Sequence, residues 1–197
     1  GGRSDLSNAA GQSPRGRLSG TAVSVVSVVR SGGIRPSSNR QVGRRGNKSA
    51  TWKLVAAPIA TFARVVLYDR RGLGQSSPLK DKNVAVTADG VAARLHALLA
   101  AADIRPPYIL VGHSLGGLYV QMFARKYPKD VSSVVLLESS SPDAPSELKT
   151  RARLEPGTPA YLEEEGIPES NEQVKNGGPF PNVPLTVIAA ADHGPYF

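Results

Sequence analysis

The 197-residue chain contains no cysteine. Disulfide bridges, thiol catalysis and thiolate metal sites are therefore excluded. Histidine is almost as scarce: His96, His113 and His193 are the full set. None clusters with acids in a metal-ligand spacing, so no metal site is expected. No apolar run approaches the ~20 residues that span a bilayer, and no membrane partner is expected. Aromatic residues are only 6% of the chain. None lies in the first 48 residues, which leaves that segment without a platform for stacking bases. What is present suits one globular domain with a real core: 40% of residues are apolar.

Charge is unevenly distributed. Residues 1–48 hold nine Lys/Arg against one acid, Asp5, an excess of eight. The other fifteen basic and fifteen acidic residues cancel. The basic character thus belongs to residues 1–48, a Gly-, Ser- and Arg-rich segment that reads as low-complexity and disordered. Nucleic-acid binding would need more than this unaccompanied charge and is not expected. Within it, Arg15 and Arg17 precede Leu18 to Val29, a loose imitation of a secretory signal. The β-branched stretch from Val23 to Val29 reads equally well as an early strand.

From Ser49 onward the pattern is that of a folded domain. Trp52, Val55, Ile59 and Phe62 recur at helical spacing. Arg64–Tyr68 reads as a buried strand that ends in a glycine turn. Thr87 to Ala102 reads as a helix with Val91, Leu95, Leu98 and Leu99 on one face. Pro106-Pro107 breaks the chain. Tyr108 to Val111 is a second strand, Leu115 to Tyr127 a helix closed by Pro128, and Val131 to Leu137 a third strand. Residues 139–182 show no strong period. Leu185 to Ala189 is a fourth strand. Strands apolar on both faces and separated by helices predict a parallel sheet covered on both sides. The strand exits then share one edge, where ligands bind.

The decisive stretch is Gly112-His113-Ser114-Leu115-Gly116-Gly117, between a predicted strand and a predicted helix. A sharp strand-to-helix turn lifts a serine hydroxyl clear of the sheet, and the glycines make room for it. The helix start supplies positive potential. The N–H of Leu115, next after the serine, is a candidate oxyanion donor.

This elbow resembles that of the α/β-hydrolase superfamily. Asp69-x-x-Gly72-x-Gly74-x-Ser76 upstream resembles the turn after an earlier strand in the same superfamily, and Val135 to Asp143 resembles the next strand with its exit loop. The resemblance covers residues 46–197 and is closest to bacterial esterases and proline-iminopeptidase-like hydrolases. It implies a partial α/β-hydrolase fold over residues 49–197, with a cap-like insertion at 143–182 and the last strand and helix missing. An apolar sheet edge would then be unpaired, and the isolated chain is expected to be marginal or aggregation-prone.

The resemblance also implies a serine hydrolase of small-molecule esters or amides, without cofactor or metal. Ser114 is its nucleophile and Asp192 its triad acid, with Asp143 or Glu138 as alternatives. Gly46 and Asn47 are the candidates for the second oxyanion donor. The superfamily's histidine follows one further strand, tens of residues beyond the acid, whereas this sequence stops at Phe197. His193 and His113 are the lesser alternatives, and the expectation is that no base is present. An inactive hydrolase-fold product is therefore the competing reading. Glu163-Glu164-Glu165 reads as a solvated helix face or, alternatively, a site for a cationic substrate group. Tyr161, Leu162 and Phe180 read as packing residues or pocket lining.

Overall fold

The structure, a computed structural model, describes residues 23–27, 56–59, 63–73, 76–143 and 154–189. Five strands are described: β1 (Val23–Ser27), β2 (Arg64–Tyr68), β3 (Tyr108–His113), β4 (Val131–Leu137) and β5 (Leu185–Ile188). They form one sheet in the order β2-β1-β3-β4-β5, and every pairing is parallel. Parallel neighbours need long crossovers, which here carry helices. These are α1 (Ala88–Ala101) before β3, α2 (Gly116–Lys126) before β4, and α3 (Pro159–Glu165) with α4 (Ile167–Asn176) before β5. A helical turn at 56–59 precedes β2. No described helix is long and apolar enough to cross a membrane.

The fold class expected from the sequence is the one observed, and β1 corrects the domain boundary drawn from composition. Val23–Ser27 lies inside the segment set apart as 1–48, yet it pairs with both β2 and β3. Serine and arginine content dominates that segment's composition. The five-residue VSVVS run nevertheless has the β-branched character of a strand.

The core lies between the sheet and α1, α2 and α4. On α1, Val91, Ala92, Leu95 and Leu99 form the buried stripe. On α2, Leu118, Val120 and Phe123 are fully buried. Each such side chain contributes roughly 1.5–3 kcal/mol over leaving it exposed. α1 stops where Asp103 turns left-handed at φ +48°. The Ile104 N–H then reaches back to Leu99 O at 2.9 Å, which satisfies a terminal carbonyl.

The 143–182 segment shows no strong period in sequence, yet it carries α3 and α4. Leu162 and Val174 belong to the core, and α4 packs on α1 and α2. The period is masked because Ser170 and Asn171 are buried polar residues. Val86 N–H donates to Leu162 O at 2.9 Å. Gly166 comes so close to the Val86 carbonyl that a Cβ there would overlap it. This insertion is thus joined to the body of the fold rather than laid over it.

At the other flank β5 is exposed along its whole length, with Leu185, Val187 and Ile188 presenting apolar surface.

Candidate active site

Ser114 follows the central strand β3. Its backbone is left-handed, at φ +53°. That conformation costs a non-glycine residue roughly 1–2 kcal/mol, and the surroundings must hold it. They do so from the neighbouring strand. The Ser114 N–H points at both Leu137 O and Glu138 O, each 3.1 Å away. Ser114 O accepts from Ser140 N–H at 3.1 Å and from Gly117 N–H at 2.9 Å. Glu138, which ends β4 beside it, is left-handed too, at φ +43°.

The glycines are required by contact. A Cβ on Gly112 would sit 2.6 Å from Gly116 O and 2.6 Å from Val120 Cγ2. One on Gly117 would overlap the Ser139 side chain. Strand, turn and helix are therefore closer together at the elbow than any side chain allows. Ser114 itself stays partly exposed, at the exit edge of the sheet.

α2 starts at Gly116 with Leu115 as its N-cap and has no side-chain cap. The Leu115 N–H lies ahead of the first helical turn, beyond the reach of intrahelical acceptors.

The remaining expectations separate clearly. His96 is tied elsewhere: its Nε2 lies 2.9 Å from Asp130 Oδ2, and its ring stacks on Tyr127 at 3.9 Å. Asp130 precedes β4 and so marks the entry edge of the sheet, opposite Ser114. His113 ends β3 immediately before Ser114 and is partly buried. Asp143 is exposed, and its N–H donates to Ser141 Oγ at 3.2 Å. Glu138 is exposed beside the elbow. Asp192, His193, Gly46 and Asn47 lie outside the described residues. The chain leaves β5 at Ile188, whose carbonyl accepts from Glu138 N–H at 2.9 Å, four residues before Asp192.

One group was not legible as a unit. Arg70, just after β2, and Glu163, on α3, are both buried and paired, with Arg70 Nε 2.8 Å and Nη2 2.6 Å from Glu163 Oε1. The guanidinium also lies over the Tyr119 ring at 5.2 Å. Burial works against the Arg70 charge, but the Glu163 carboxylate together with Tyr119 and Tyr68 more than offsets it, and the arginine pKa is raised. Burial also pushes the Tyr119 phenol up, so it stays neutral. Glu163 is therefore neither on a solvated face nor free for a cationic substrate. Leu162 is core, and Tyr161 and Phe180 pack against it.

Comparisons with known proteins agree with this geometry. The family model of the alpha/beta hydrolase fold matches residues 43–165, more than half of the chain. The Bacillus subtilis protein YqjL is 33% identical over 156 residues, which are 75% of this chain and 59% of YqjL. The chain thus spans well under two thirds of that relative. A hydrolase from Pseudomonas aeruginosa PA01 shares the fold at a TM-score of 0.56 and 20% identity, over 87% of this chain and 72% of that one. A thermophilic esterase from Thermogutta terrifontis does so at 0.55 and 17%, over 85% and 81%. With a parallel sheet, a strained serine at the exit of its central strand and a family match across both, the chain belongs to the α/β hydrolase fold family.

Proposed function

We propose that this chain carries the nucleophile of a serine hydrolase that cleaves small-molecule esters or amides through an acyl-enzyme at Ser114. The observation that carries the reading is the left-handed Ser114 at the uncapped start of α2. A strained, partly exposed serine at a helix start is arranged for attack on a carbonyl. The esterase among the structural neighbours is consistent with an ester substrate.

In this mechanism Ser114 Oγ attacks the carbonyl carbon, and the oxyanion forms beside the Leu115 N–H. Gly46 or Asn47 supplies the second donor. The serine proton passes to a histidine and then to the leaving group. Asp192 orients that imidazole and stabilises its charge. Water then releases the acid. The mechanism calls for no metal, cofactor, nucleic acid or membrane.

A second reading, a hydrolase-fold protein without turnover, draws on the tethering of His96 at the far edge of the sheet. Hydrolysis of 4-nitrophenyl acetate by the 197-residue chain separates the two. Turnover that disappears in Ser114→Ala supports the first reading. Buffer-level rates in both proteins support the second.

A further inference from the structure

A cavity lies at the exit of β2, two strand spacings or ~10 Å across the sheet from β3. Its volume is about 240 Å³. That exceeds the ~150 Å³ of an apolar cavity able to hold a benzene ring. The elbow does not line it.

Its wall has two characters. Leu79, Val86, Val91 and Leu98 supply apolar lining, interleaved on α1 with the charged Arg94. The wall also carries three arginines, Arg70, Arg71 and Arg94, with Asp69 among them. The charge of Arg70 is cancelled by Glu163 in the buried pair. Arg71 and Arg94 against Asp69 leave one positive charge in excess. Among the described residues, no carboxylate pairs with Arg71 or Arg94. Partial desolvation of the Arg94 guanidinium lowers its pKa, Tyr68 opposes this, and Arg71, a like charge, adds to the lowering. Two guanidinium groups that face one cavity and repel each other are relieved by an anion between them. Their planar forks match the oxygens of a phosphate or carboxylate, which a point charge would not.

We propose that this cavity binds a small organic anion, with a phosphate or carboxylate head between Arg71 and Arg94 and an apolar body against Leu79 and Leu98. The site is separate from Ser114, and its occupancy does not depend on hydrolysis.

Titration with phenyl phosphate, followed by ³¹P line broadening at constant ionic strength, tests it on the full chain. Saturable binding is expected, tighter than that of inorganic phosphate. Arg94→Gln and Arg71→Gln are each expected to weaken it at least about tenfold, because each removes one of two forks. Arg94→Lys keeps the charge without the fork and is expected to bind between wild type and Arg94→Gln. Ser114→Ala is expected to bind like wild type. Far-ultraviolet circular dichroism establishes that each variant is folded, and if Arg94→Gln is not, Arg71→Gln and Arg94→Lys carry the comparison. The proposal is overturned if phenyl phosphate does not saturate, if folded variants bind as tightly as wild type, or if inorganic phosphate binds equally well.

Discussion

The starts of α1 and α2 face the same edge of the sheet and are finished in opposite ways. At α1, Thr87 Oγ1 accepts from the Gly90 N–H at 3.4 Å, Ser170 Oγ accepts from Ala88 N–H at 2.9 Å, and Gln173 Oε1 accepts from Asp89 N–H at 2.8 Å. Two of these three acceptors come from α4, more than 80 residues away in sequence. At α2 no side chain caps the helix, and Ser114 stands before it in a strained conformation. Both helices begin with orphan donors. In α1 side chains take up the donors and hold the fold together, while in α2 backbone oxygens of Ser114 and Leu115 take up those of Gly117 and Leu118. The contrast separates a helix start finished by side chains from one that is not, and the second is where the proposed nucleophile stands.

The contrast can be broken from its closed side with the largest effect. Glu163 fastens α3 to the β2 exit, and Glu163→Ala leaves Arg70 buried and uncompensated. A loss of roughly 3–5 kcal/mol in urea unfolding is expected. A loss below 1 kcal/mol would mean that water reaches Arg70. At the other helix start, Gly112→Ala forces a Cβ into the backbone of Gly116. About 3 kcal/mol of destabilisation is expected, near the upper end for overpacking. An unchanged midpoint would show that β3 and α2 are less tightly apposed at the elbow.

Ser170→Ala sharpens the comparison. It removes the acceptor of Ala88 N–H, and the Ser170 hydroxyl that donates to Gly166 O at 2.6 Å. A buried donor without a partner costs about 2 kcal/mol. Hydrogen exchange at the first turn of α1 should accelerate with it, and unchanged exchange would remove α4 from the capping role. The smallest effect has the opposite sign. Ser114→Gly relieves the left-handed strain and is expected to raise stability by up to about 1 kcal/mol, the unfolded-state entropy of glycine offsetting the remainder. A destabilised Ser114→Gly would mean that the serine hydroxyl itself holds the turn.

The sequence carried the sheet and elbow well, because both rest on local signals. Tyr108 to Val111 is a β-branched and apolar run, and Gly112 to Gly117 places its glycines where strand and helix touch. α1 and β4 were legible for the same reason. What was not legible depends on long-range polar contacts. Glu163 is identical in sequence character to Glu164 and Glu165, and only the fold sets it opposite Arg70. Ser170 and Asn171 interrupt the apolar stripe of α4, so a packed helix shows no strong period in sequence. β1 was half legible: VSVVS has strand character, but the arginine- and glycine-rich surroundings place it in a low-complexity tail. Of the site residues expected from sequence, Ser114 and Leu115 are together at the elbow. Asp192, Gly46 and Asn47 fall outside the described residues.

The most direct test of the central claim is covalent. The full chain is exposed to a fluorophosphonate, and the adduct is mapped by mass spectrometry beside Ser114→Ala. The account predicts one phosphonyl group per chain, on Ser114 and absent from the variant. An unlabelled wild type, or an adduct that persists in Ser114→Ala, would contradict it.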